Sequence, residues 1–178
     1  QTKDNSTYLD KTSKEVISLC LVLYSWIQTI ERFSDRLTWL FGHARGSQVE
    51  DHRMFNDLTT TSDQSFFDKH KYVVVETPQR SIIMKLLRWL LFLRIQLSST
   101  SFKDDKDFKE QLDIIYDTAD LKQGFERLVA SDKYLVLSTC REEDPTIRAN
   151  LYLRQIPDSE MSDFVAKHGK DLEYTPTR

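Results

Sequence analysis

KYVVVETPQRSIIMKLLRWLLFLRIQL, residues 71–97, is the stretch on which the fold turns. Tyr72 to Val75 are a continuous run of strand-forming residues, the pattern of a strand covered on both faces. Thr77 then offers a hydroxyl at a helix N-cap, and Pro78 suits the first helical position, where no N–H is needed. From Ile82 to Ile95 apolar residues fall on nearly every side, so the expectation is a short buried strand running into a buried core helix. Lys85, Arg88 and Arg94 interrupt the run, and a membrane span needs about 20 largely uncharged residues. Membrane insertion is therefore not expected.

Working outward, the chain has 178 residues, enough for one domain with a real core. The expected division is a flexible segment over 1–11, a single globular domain over 12–169 and a flexible tail over 170–178. Charged residues make up 30% and hydrophobic ones 39%, which suits a soluble globule. A net charge of −3 gives no overall attraction to DNA or an anionic membrane, so DNA is not expected as a partner. Only 4 glycines occur, and neither a G-x-x-x-x-G-K-[ST] nor a G-x-G-x-x-G phosphate loop is present. Cys20 and Cys140 lie far apart, with neither disulfide-framework nor zinc spacing. They read as two small buried apolar residues in a reducing, cytoplasmic setting. The chain begins at Gln1 without a signal-peptide pattern, which reads as a mature fragment.

Upstream, Thr12 and Glu15 form a capping box for a helix expected to run to Phe41. Val16, Cys20, Leu23, Ile27, Ile30, Leu37 and Phe41 make its apolar stripe, and Gly42 is its left-handed cap. Trp26, Phe33 and Trp39 fall off the stripe and are expected as exposed aromatics at a contact with a partner protein or a second copy. Downstream, Asp104 and Asp105 start an amphipathic helical stretch reaching about Ala130, one helix or two with Gly124 as the expected break. Strands follow over 133–140 and 146–155, forming a C-terminal hairpin. The second alternates, with Ile147, Ala149, Leu151 and Leu153 inward and Arg148, Asn150, Tyr152 and Arg154 on a wet face. Pro157 and Asp158 open a last short helix that Gly169 closes.

Chemistry is sparsely signalled. His43, His52, His70 and His168 lie on separate segments without metal-ligand spacing, so neither metal nor cofactor is expected. Asp104/Asp105 and Glu142/Glu143/Asp144 read as a helix start and a solvated turn. No serine or cysteine sits in a recognisable nucleophile motif. One candidate ligand site is the strand-to-helix junction, where Glu76 could accept from a base or amine, Thr77 caps, and Arg80 could meet a phosphate. A second is the face of Arg148, Tyr152 and Arg154, basic and aromatic groups that could stack on bases and meet phosphates. The order strand, Glu76-Thr77-Pro78, long helix, second helix, strand, short helix resembles the carboxyl half of STING-type cyclic-dinucleotide receptors. That resemblance spans less than half of the chain and is not taken as membership.

The resulting expectation is a helix-dominated α+β single domain with a small sheet. Its expected function is non-catalytic protein–protein interaction, as an adaptor or complex subunit acting through helical surfaces. The alternative is a receptor for a small anionic nucleotide at 76–80.

Overall fold

Residues Ser81–Leu93 form a 13-residue β-strand, not the expected core helix. The computed structural model describes residues 35–42, 55, 58, 64–69, 71–76, 81–93, 102–122, 128–141, 144 and 146–172. In chain order the elements are β1 (Leu37–Phe41), α1 (Gln64–Lys69), β2 (Tyr72–Glu76), β3 (Ser81–Leu93), α2 (Asp105–Thr118), β4 (Leu121–Lys122), β5 (Tyr134–Cys140), β6 (Ile147–Gln155) and α3 (Asp158–His168), with a 3₁₀ turn over Gly169–Leu172. The strands build one mixed sheet in the order β1-β5-β6-β3-β2, with β4 also on β3. The expectation of a helix-dominated domain is thereby overturned in favour of a sheet-dominated one.

β3 explains the misreading. One of its edges pairs antiparallel with β6 over Met84–Leu93, and the other is shared by β2 over Ser81–Lys85 and β4 at Arg88 and Trp89. A strand flanked on both edges within a sheet can carry apolar residues at successive positions. A buried helix shows the same all-round apolarity, so periodicity does not separate the two. Thr77 and Pro78 fall in the connection 77–80, outside the described residues. β2 and β3 pair antiparallel with Glu76 opposite Ser81, and proline serves a turn as readily as a helix start.

The expected first helix fails at its end. Residues 1–34 lie outside the described residues, and Leu37–Phe41 is a strand lying parallel to β5 with Leu37 opposite Tyr134. Gly42 therefore caps no helix. A Cβ there would sit 2.6 Å from the Phe55 ring, so the close approach of that ring requires glycine. The helix expected from 104 to 130 stops at Thr118, and β4 follows. Asp104 caps it, its side chain accepting from Asp107 N at 2.8 Å. Gly169 is right-handed, with φ of −57°, and continues into the 3₁₀ turn rather than ending the helix.

The alternation of β6 sorts two cores, one on each face of the sheet. Leu40, Phe55, Leu58, Ile82, Met84, Leu135, Leu137, Ala149, Leu151 and Leu153 pack together on one side. On the other, α2 lays Phe108, Leu112 and Ile115 against Leu37, Trp39, Tyr134, Val136 and Tyr152. The expected wet face of β6 is thus covered as well. Asn150 and Tyr152 are both 0% exposed. At the far end of the same face, Arg154 donates from Nε to Asp132 Oδ2 at 2.6 Å and from Nη2 to Glu160 Oε1 at 2.9 Å, tying α3 to β6. Among the described residues, no helix is long and apolar enough to cross a membrane.

Two outcomes follow from this packing. Phe108, fully buried beneath Arg36, anchors α2, so Phe108→Ala should lower unfolding stability by about 3–5 kcal/mol in urea titration. Burial pushes the Tyr134 hydroxyl up to about 12, against its hydrogen bond from Val129, which lowers it. A raised folded-state value means stability intact below the unfolded value of about 10 and lost as pH rises towards 12. Tyr134→Phe should remove that alkaline loss while costing about 1 kcal/mol at neutral pH for its hydrogen bonds. Melting temperatures of the two proteins across the alkaline range check this.

Candidate functional site

The end of β5 and the start of β6 bring a thiol and a guanidinium together. Antiparallel register sets Cys140, the last residue of β5, directly opposite Arg148, the second residue of β6. Residues so paired project to the same face. Arg148 Nη1 donates to Cys140 Sγ. The thiol is free and half-buried, so it is neither the sealed apolar residue expected of Cys140 nor part of a disulfide.

Local chemistry fixes this pairing. Arg141 N donates to Ile147 O at 3.1 Å, closing the connection, and Ile147 N donates to Asp144 O at 3.0 Å. Asp144 Oδ1 accepts from Thr146 N at 2.9 Å and from Thr146 Oγ1 at 2.6 Å, a side-chain-built turn. The Thr146 hydroxyl and amide hold the Asp144 carboxyl below its usual range. The acidic run 142–144 thus has a shaping residue at its end. On the other flank, β1 runs parallel to β5 with Phe41 opposite Ser138, and Gly42 N donates to Ser138 O at 3.1 Å. His43 is the next residue in the chain and lies outside the described residues.

The row behind the thiol is polar and buried. Ser138 faces Asn150 across the strands, and Ser138 Oγ, both Asn150 amide atoms and Arg148 Nε lack hydrogen-bond partners among the described residues. Among the described residues, no group of three or more His, Cys, Asp or Glu could hold a metal ion.

The expected ligand residues do not converge. Glu76 closes β2 opposite Ser81, whereas Arg148 lies opposite Phe92. Eleven residues of β3 separate those positions, about 35 Å at the rise of a strand. Thr77 and Arg80 lie outside the described residues. Tyr152 is buried against Trp39, their rings at 80° and 6.0 Å apart. Arg154 is engaged by Asp132 and Glu160, and the hydrogen bond to Glu160 leads in holding its proton more firmly. Trp39, expected as an exposed contact residue, is 5% exposed and stacks on Phe41. Trp26 and Phe33 lie outside the described residues. Sequence reasoning missed the pairing of Cys140 with Arg148. The available signal was a cysteine closing an apolar strand, Leu135 to Cys140, with an arginine returning across a hairpin at the start of the next strand.

No family model and no curated protein matches the sequence. Solved structures do. Sortase B from Clostridium perfringens superposes with a TM-score of 0.62 at 19% identity over 69% of this chain and 67% of that one. Sortase B from the type II pilus of Streptococcus pneumoniae gives 0.61 at 24% identity over 70% of each. Sortase B from Staphylococcus aureus gives 0.59 at 24% identity, over 68% of this chain and 57% of that one. These neighbours are sortase B enzymes on a sheet-dominated fold, which contradicts the expected non-catalytic adaptor acting through helical surfaces and the nucleotide-receptor alternative. The chain has the fold seen in sortase B structures.

Proposed function

We propose that this chain is a cysteine transpeptidase of the sortase B kind, transferring a peptide acyl group through Cys140. The observation that carries the reading is the guanidinium of Arg148 on the sulfur of Cys140, at paired strand ends of a sortase B-like sheet.

The chemistry follows from those two groups. The thiolate of Cys140 attacks a backbone carbonyl carbon of the donor peptide, forming a C–S bond and a tetrahedral oxyanion. Collapse breaks the C–N bond, and the departing amine takes up a proton. An acceptor amine then attacks the thioester, forming a new C–N bond, breaking C–S and giving up its proton. Arg148 supplies a fixed positive charge and a planar donor fork where negative charge develops, first on sulfur and then on oxygen. The proton carrier in this proposal is His43. It follows directly on Gly42, whose N–H is bonded to Ser138 O, two residues before Cys140. An imidazole titrates in the range this shuttling needs. An amine acceptor accords with a solved sortase B structure complexed with triglycine.

The test is intact-mass detection of an acyl-enzyme from a donor-peptide library, with triglycine as acceptor. The parent chain should form an adduct mapped to Cys140 and resolve it with triglycine. Cys140→Ala should form none. Arg148→Lys keeps the charge but loses the fork, and kcat should fall about 10²–10³-fold. His43→Ala should fall about 10²–10⁴-fold, as loss of a general acid–base does. An adduct that persists in Cys140→Ala, or full activity in Arg148→Lys, would overturn the reading.

A further inference from the structure

Asn150 lies two residues beyond Arg148 on the same face of β6 and is 0% exposed. Neither Nδ2 nor Oδ1 has a hydrogen-bond partner among the described residues. Two more unpaired polar atoms share its surroundings: Ser138 Oγ, directly across on β5, and Arg148 Nε. Ser138 and Asn150 therefore form the row immediately behind Cys140 and Arg148, because every second residue of a strand faces the same way. An unmet buried amide destabilises a fold, and an apolar side chain of similar shape in its place is neutral or stabilising. Packing among the described residues gives no reason for asparagine here.

We propose that Asn150 is a positioning residue for Arg148, an inference that rests on the acyl-transfer reading. Residues two apart on a strand are separated by about 7 Å, within the combined reach of an asparagine and an arginine side chain. With Nη1 on the Cys140 sulfur, Arg148 leaves its Nε–H without a partner among the described residues. Once the sulfur is acylated, the guanidinium turns from it towards the carbonyl oxygen, and Nε–H donates to Asn150 Oδ1. Ser138 Oγ–H steadies the carboxamide from the opposite strand, whose directly paired Cβ atoms lie about 5 Å away. A guanidinium is a rigid planar fork, so fixing Nε fixes where both Nη groups point. Asn150 thus acts through Arg148 and does not touch the reacting atoms.

The experiment compares Asn150→Leu and Asn150→Asp with the parent chain in melting temperature and in kcat and KM for donor peptide with triglycine. It adds the rate at which a methanethiosulfonate reagent modifies Cys140, followed by peptide mass mapping. Asn150→Leu should melt at or above the parent temperature, keep KM and lose about 10- to 100-fold in kcat, the scale of a misplaced catalytic group. Asn150→Asp keeps an acceptor at the same atom and should stay within about 3-fold of the parent, as the coupled role requires. Unchanged kcat in Asn150→Leu overturns the proposal, as does equal loss in both variants with a fall in melting temperature. If the parent turns over no donor peptide, the acyl-transfer reading fails by itself, and the modification rate still reads the coupling. Asn150→Leu, Arg148→Lys and the double variant should then shift that rate by the same factor. Independent, multiplicative shifts would overturn the coupling.

Discussion

A slip of one residue between β5 and β6 would send Arg148 to the face opposite Cys140, because successive side chains of a strand alternate. The site therefore depends on register, and register depends on burial. Leu135, Leu137, Leu151 and Leu153 share one core, while Tyr134, Val136 and Tyr152 share the other. A slipped pairing would place apolar side chains of one strand among the opposite core's partners on both faces at once. The Asp144–Thr146 turn sets the same register from the connection. Packing and turn chemistry agree, so the thiol and the guanidinium face each other without a loop having to bring them together.

The same face of the sheet changes character along its length. At one end the row Leu37, Tyr134, Arg154, Lys85 and Tyr72 crosses five strands and receives α3 through Arg154–Glu160. The middle is apolar beneath α2. At the other end stand Ser138, Asn150, Arg148 and Cys140, some of whose buried polar atoms have no partner among the described residues. Charges are satisfied where the fold is held, and polar groups are unsatisfied where chemistry is proposed. Sites of catalysis commonly carry such local cost, borne by stability elsewhere.

Much of the sheet was legible in the residues. The run of strand formers at 72–75, the apolar strand before Cys140 and the alternation after Thr146 all give strands within a residue of the observed bounds. Asp104 gives the start of α2 because a capping carboxylate is a local signal. β3 and β1 were not legible. β3 is flanked by β2 and β4 on one edge and by β6 on the other, and β1 alternates between the two cores beside β5, pairings that local periodicity does not encode. The site was hidden for a related reason. Cys140 and Arg148 are eight residues apart in sequence, and only the pairing of their strands makes them a unit. In the sequence Arg148 stands out for its charge on a supposed wet face, whereas that face is covered and the partner is a sulfur.

Among the described residues β2 stands at one end of the strand order, with Val74 39% exposed. α3 leans on that strand through Phe164, whose ring meets Tyr72 edge-on at 5.0 Å, and through His168, 5.6 Å from the same ring. Glu160, Phe164 and His168 recur every fourth residue, so one helical stripe touches both β6 and β2. α3 buries none of its own residues, yet through this one stripe it ties β2 to β6 across the intervening β3.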